Sequence, residues 1–176
     1  MKNLTEQLAG YAAYHRDRRN IATHLVGVPV IVFAVAVLLS RPVLGEIGGA
    51  PVTPALLAAL ATGAYYVALD RSLGLLMAIV LAAMLAGASA LAAGPTQSWF
   101  GWGGGLFVAG WIVQFVGHAW EGRKPAFVDD VVGLLIGPLF VAAELLFLLG
   151  MRRALREAIE ARVGPTRVGR PGGVAT

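Results

Sequence analysis

A chain of 176 residues that is 57% hydrophobic and only 14% charged, with a mean hydropathy of +0.72, lies outside the soluble globular class. Its net charge of +4 could suit a nucleic-acid binder, but the cations flank apolar tracts, where the positive-inside bias accounts for them, so nucleic acid is set aside as a partner. With no cysteine, disulfides, thiolate metal sites, iron–sulfur clusters and a cysteine nucleophile are excluded, and any metal must be held by nitrogen and oxygen.

Residues 1–24 carry Lys2, Glu6, Arg16, Asp17, Arg18 and Arg19, too polar and too long for a secretory leader, and read as a retained cytoplasmic-side segment. Leu4, Leu8, Tyr11, Ala12 and His15 recur at helical spacing, which predicts a short amphipathic helix at the membrane interface. A first span runs from about Leu25 to Arg41 and Pro42, with Pro29 in its first turns. The loop Gly45–Pro54 is rich in glycine and proline, and a second, short span covers Ala55–Leu69. Ser72–Trp120 has no formal charge and, as continuous helix, would extend roughly 74 Å against a hydrocarbon core of about 30 Å, so it must turn back once. The expected break is Gly94–Pro95 through Gly103–Gly105, with Trp99 and Trp102 at a membrane–water interface.

The last apolar run, Val131–Gly150, contains Gly137–Pro138 and Glu144. Were it a complete fifth span, Arg152, Arg153, Arg156, Arg162, Arg167 and Arg170 would be exported, against the positive-inside bias. A segment that breaks at Gly137–Pro138 and returns avoids this. The expectation is therefore an all-α membrane protein of four transmembrane helices plus a re-entrant fifth segment, multi-pass, with both termini cytoplasmic. Residues 1–151 form one integral membrane domain. Residues 152–176 form a basic surface helix, with Arg153/Glu157 and Arg156/Glu160 at i,i+4, and a disordered tail from Gly164.

The three histidines, His15, His24 and His118, all fall near the edge assigned to the cytoplasmic side. His15 and His24 are nine residues apart and on one unbroken helix would face about 180° away from each other. A break at Arg16–Asn20, where Asp17 and Asn20 can cap, would let both meet one point, with Asn20 and His24 on a shared face. Gln114, His118 and Glu121 form one stripe at the end of the fourth span. Glu144, alone in an apolar tract, must be protonated, paired or cation-bound, and a re-entrant fold would return it to the histidines, to ligate a metal or accept from a ligating imidazole. Asp129 and Asp130 could form a metal pair, but read as caps of the following helix. No G-x-S-x-G elbow or phosphate loop is present, and the Gly101–Gly105 glycines are loop or helix-packing residues.

The ordered set Tyr14-His15-x4-Asn20-x3-His24-x2-Gly27-x-Pro29, Gln114-x2-Gly117-His118-x2-Glu121-x3-Pro125-Ala126 and Pro138-x-Phe140-x3-Glu144 resembles the small membrane-bound 2-hydroxy fatty acid dioxygenases, formerly a family of unknown function. The resemblance runs from about Tyr11 to Met151. It implies an iron(II)-dependent, haem-independent oxidoreductase of lipid metabolism that uses dioxygen to shorten a 2-hydroxy fatty acid by one carbon, the fatty acid α-oxidation reaction. The setting is the endoplasmic reticulum in eukaryotes or the cell membrane in bacteria. It makes His15, His24 and His118 the required metal residues. Around them, Glu121, Glu144, Asn20 and Gln114 are expected to assist catalysis, and Tyr14 and Arg123 to bind substrate. The partners are the 2-hydroxy acid, dioxygen and membrane lipid. Neutral imidazoles suit Fe(II), and three of them leave up to three positions on an octahedral ion for two substrate oxygens and dioxygen.

Without the resemblance, the residues give a membrane protein with a histidine metal site. A zinc-dependent hydrolase of membrane lipid uses similar ligands. Two non-enzymatic alternatives are a haem-binding electron carrier with His24 and His118 as axial ligands, and a channel or transporter with Glu144 as its ion site.

Overall fold

In the computed structural model, residues 2–168 are described. They form seven α-helices, a two-stranded hairpin and one 3-10 turn, in the order α1 (Leu4–Ala12), α2 (Arg18–Leu39), β1 (Gly45–Ile47), β2 (Ala50–Val52), α3 (Pro54–Leu69), α4 (Arg71–Ala92), α5 (Thr96–Glu121), the turn Ala126–Val128, α6 (Gly133–Leu148) and α7 (Arg153–Val163). Three helices, α2, α4 and α5, are long and apolar enough to cross a membrane, and a fourth span is reached if α6 and α7, bent by 116°, count as one. The protein is thus a mostly helical, multi-pass membrane protein. Its contacts divide it into two compact units, Met1–Val28 with Ile112–Thr176, and Pro29–Trp111.

In the first unit, α1 starts with a reciprocal cap: Asn3 Oδ1 accepts from the Glu6 amide at 2.9 Å, and Glu6 Oε2 accepts from the Asn3 amide at 3.1 Å. Its stripe of Leu4, Leu8 and Ala12 is buried, and α1 packs against α6 and α7, so protein covers the face expected at a membrane interface. Asp17 then restarts the chain as a helix, its carbonyl accepting from the Ile21 amide at 3.0 Å and its Oδ1 from the Arg19 amide at 2.9 Å. The first span therefore begins earlier than its apolar run, and Pro29 lies in the interior of α2.

The expected break at Gly137–Pro138 is corrected: α6 runs through both residues without interruption. A Cβ on Gly137 would lie 3.0 Å from the Tyr11 hydroxyl, so this glycine makes room for an aromatic ring. The chain reverses later, at Gly150 (φ 74°) and Arg152 (φ 55°), both in the left-handed region. In α7, Arg156 and Glu160 pair at 2.9 Å as expected, while Arg153 Nε donates to the Gly150 carbonyl at 3.2 Å. The first residues of the segment expected to be a disordered tail are ordered: Arg167 bridges to the Asp17 region. Residues 169–176 lie outside the described part.

In the second unit, the glycine-rich loop holds an antiparallel hairpin that the all-α reading did not foresee, with Ile47 opposite Ala50 and the turn at Gly48–Gly49 (φ 59° and 79°). Asp70 both ends α3 and caps α4, its Oδ1 accepting from the Leu73 amide at 2.8 Å. A Cβ on Gly74 would strike the backbone of Tyr66 and Val67, which is how α3 and α4 approach so closely. The turn between α4 and α5 is confined to Ala93–Pro95, shorter than expected. Gly101 and Gly103–Gly105 are helical because a helix in an apolar medium must close its own backbone hydrogen bonds despite poor propensity. Gly103 packs on Leu38, to which a Cβ would come within 2.6 Å.

Candidate metal centre

Three elements of the first unit deliver one imidazole each: the break after α1 (His15), the first turns of α2 (His24) and the last turn of α5 (His118). All three are buried, at 0%, 2% and 7% exposure. One ligand nitrogen from each lies within 4.8 Å of the others. The ring centroids are 4.4 Å (His15–His24), 5.1 Å (His15–His118) and 5.0 Å (His24–His118) apart, with planes at 66–83°. The expected bent clamp is present, although the break lies between Ala12 and Arg18, earlier than Arg16–Asn20, with Asn20 inside α2 and not a cap; it removes the opposition that nine residues of straight helix would impose.

Hydrogen bonding fixes the tautomers of two rings. His15 Nδ1 donates to the Tyr11 carbonyl at 2.7 Å, and His24 Nδ1 donates to the Asn20 carbonyl at 2.8 Å, each four residues back. Each Nε2 is then a bare lone pair, and the two stand 3.0 Å apart. Two lone pairs at that distance repel unless a cation joins them. A shared proton is disfavoured, because burial and the neighbouring imidazoles hold the His15 pKa well below the ordinary histidine value. A metal ion fits: two nitrogens each about 2.1 Å from one ion, at a right angle, are about 3.0 Å apart. Among the described residues, four buried side-chain polar atoms lack a partner, and three belong to this neighbourhood: His118 Nδ1, Asn20 Oδ1 and Gln114 Nε2. A donor set of three imidazole nitrogens fits a borderline divalent transition-metal ion.

The carboxylates are distributed differently from expectation. Neither Glu121 nor Glu144 belongs to the group of potential ligands. Glu121, 2% exposed, grips the break: its Oε2 accepts from the backbone amides of Arg16 (3.0 Å) and Asp17 (2.7 Å) and from Asn20 Nδ2 (3.1 Å), and its Oε1 faces Arg167 at 3.3 Å. The Arg123 and Lys124 cations, close to Glu121 in sequence, are engaged elsewhere: Arg123 donates to the Ala13 carbonyl at 2.8 Å, and Lys124 pairs with Asp129 at 2.6 Å. Glu144 lines a cavity of about 190 Å³ with Arg16, Arg156 and Glu160, where it offsets the buried Arg16 guanidinium. With α6 unbroken at Gly137–Pro138, the turn that was to carry Glu144 to the imidazoles is absent. Tyr14 donates to Asp129 Oδ2 at 2.9 Å, bracing the break against the loop after α5, and Asp130 Oδ1 accepts from the Val132 amide at 2.9 Å within the turn before α6; neither aspartate caps α6 as expected, because its N-cap is Val132 and receives no side-chain hydrogen bond.

Sequence reasoning passed over four contributors. Tyr11 stacks on His15 at 4.2 Å with planes 7° apart, and burial pushes its phenol pKa up. Its signal was the i−4 relation to a histidine. Gly117 lets α5 meet α2, since a Cβ there would strike Thr23 Oγ1 and Asn20 Oδ1. Arg16, 4% exposed, donates through Nε to the Ala12 and His15 carbonyls and through an Nη to the Gly164 carbonyl. Arg167 is too distant in sequence to be linked to Glu121 by spacing.

A family model described as "2-hydroxy-palmitic acid dioxygenase Mpo1-like" matches residues 1–149. The chain belongs to that family. A relative from Saccharomyces cerevisiae, the 2-hydroxy-palmitic acid dioxygenase MPO1, is 31% identical over 160 residues, covering 90% of this chain and 88% of the yeast protein. No solved structure matches. The Mpo1-like match includes all three imidazoles and Glu121 and ends inside the bend after α6, so α7 and the Arg167 segment lie beyond it.

Proposed function

We propose that the protein is an Fe(II)-dependent dioxygenase that shortens a 2-hydroxy fatty acid by one carbon within the membrane. The observation that carries this reading is the pair of Nε2 lone pairs 3.0 Å apart, with a third imidazole beside them, in a chain of the Mpo1-like family. The overall balance is that a 2-hydroxy acid and dioxygen give the acid one carbon shorter, carbon dioxide and water, with dioxygen taking the four electrons.

His15, His24 and His118 would hold the ion. Bound iron(II) supplies the one-electron chemistry toward dioxygen that no side chain here can perform. The protein's share is positioning. The Tyr11 and Asn20 carbonyls keep each Nδ1 protonated so that each Nε2 points inward, and Glu121 holds the break that aims His15. Burial of all three rings keeps bulk water from the reacting atoms. Gln114 and Asn20, each with an unpaired buried polar atom beside the cluster, are suited to orient the substrate's hydroxyl and carboxylate oxygens. Tyr14 and Arg123, on the segments flanking the site, are rim residues for the carboxylate, and Glu144 is a supporting charge through Arg16. Residues 152–176 act as a peripheral basic extension of the membrane domain. The cations at Arg16, Arg18, Arg19, Arg123, Lys124, Arg152, Arg153 and Arg156 favour placing this unit and both termini on the cytoplasmic side.

The test is an assay of purified protein with Fe(II), dioxygen and a 2-hydroxy fatty acid. Release of the acid one carbon shorter is expected, abolished by chelation or by anaerobic conditions; full turnover under either condition refutes the proposal.

A further inference from the structure

The break that aims His15 is held from two sides, and only one lies within the family match. From inside, Glu121 Oε2 receives the Arg16 and Asp17 amides. From outside, Gly164 and Arg167 lie along Arg16–Arg18, with a parallel bridge between Asp17 and Arg167. The Arg167 amide donates to the Arg16 carbonyl at 2.8 Å, the Arg18 amide donates to the Arg167 carbonyl at 2.8 Å, and the Arg16 guanidinium donates to the Gly164 carbonyl at 2.8 Å. The Arg167 guanidinium then reaches Glu121 Oε1 at 3.3 Å, giving that buried carboxylate a cationic partner. The segment is anchored by α7, whose Ile159 is 2% exposed, and α7 packs on α1. Arg16 is thus tied at its amide, its carbonyl and its side chain, one residue from a ligating ring.

We propose that Arg167, with the backbone of residues 164–167, is a positioning residue for the metal centre: it clamps Arg16–Arg18 and locks Glu121, so that His15 Nε2 is held at its distance from His24. This rests on reading the three imidazoles as a metal site. A carboxylate with three buried donors on one oxygen and no cation on the other would have reason to rotate, and Arg16 and Asp17, whose amides are bound to that carboxylate, would follow it. Metal affinity would then fall without loss of any ligand.

The experiment uses the full chain in lipid nanodiscs titrated with Co(II), whose visible bands report ligand number and geometry, beside Arg167→Ala, Arg167→Lys, a chain ending at Val163, and Arg162→Ala as a control for an exposed cation on α7. Arg167→Ala and the shortened chain should bind Co(II) about 10 to 100-fold more weakly, the usual cost of losing an outer-shell partner, with altered bands. Arg167→Lys should recover most of the affinity, and Arg162→Ala should match the wild type. Helical content by circular dichroism separates this from misfolding, and Arg167→Ala carries the test if the shortened chain does not fold. Equal Co(II) affinity and spectra in wild type and Arg167→Ala overturn the positioning role and leave the metal reading standing. A wild-type chain that binds no Co(II) overturns both.

Discussion

Pro29–Trp111 and the segment pair Met1–Val28 with Ile112–Thr176 are built by opposite means from the same two long helices. In the former, α3 meets α4 at Gly74 and α2 meets α5 through Leu38 on Gly103, contacts that depend on shape. In the latter, buried His15, Asp17, Asn20, His24 and Glu121 are set by directional hydrogen bonds. Close packing tolerates rearrangement as long as volume is kept, whereas a buried polar network fails when one member is lost. Damage to Pro29–Trp111 should therefore lower stability alone, and damage to Met1–Val28 with Ile112–Thr176 should reach metal binding.

The sharpest break should come from His15→Ala, His24→Ala or His118→Ala. Each removes a ligand, and iron content and turnover should both fall to background while the protein still inserts in the membrane, checked by elemental analysis and carbonate extraction. Next is Glu121→Ala, which strands the Arg16 and Asp17 amides and Asn20 Nδ2. At about 1–3 kcal/mol for a buried donor left unmade, the loss of stability should be large, with iron retention reduced about 10 to 100-fold.

The comparison sharpens with paired glycine substitutions. Gly74→Ala and Gly117→Ala each force apart a close contact and should destabilise by about 1–3 kcal/mol, read from denaturation in mild detergent. Only Gly117→Ala, which strikes Asn20 and Thr23 beside His118, should also weaken iron binding. Glu144→Gln should have a smaller effect still, leaving iron in place and altering stability through Arg16 and Arg156. Smallest is Asp129→Asn. The Lys124 ammonium and the Tyr14 hydroxyl hold the Asp129 pKa below the usual carboxylate value, so its contribution is present above about pH 4 and fades as the pH falls through the lowered value. A stability difference between wild type and Asp129→Asn that persists at neutral pH and vanishes in acid is the expected signature.

The apolar tracts were legible because unbroken charge-free runs have few alternatives in a membrane, and the histidine clamp because Asp17 offers a cap at the point where two opposed imidazoles need a break. The glycine segments were misread for one physical reason. Gly103–Gly105 and Gly137–Pro138 suggest breaks by the propensities of water-soluble chains, while in this setting the helix stays closed and glycine serves contact with Leu38 or Tyr11. The surroundings of Glu121 and Glu144 were not legible because sequence gives depth in an apolar run but not partners. Glu121 found two backbone amides from residues more than a hundred positions away, and Glu144 lies in a cavity with Arg16.

The most direct measurement is iron K-edge X-ray absorption on protein purified under nitrogen and loaded with Fe(II). The expected spectrum has three imidazole ligands on one iron per chain, at about 2.1 Å if zinc distances are a guide, unchanged in Glu144→Gln and losing one imidazole in His15→Ala. A wild-type iron shell dominated by oxygen, with one imidazole or none, would contradict a three-histidine centre.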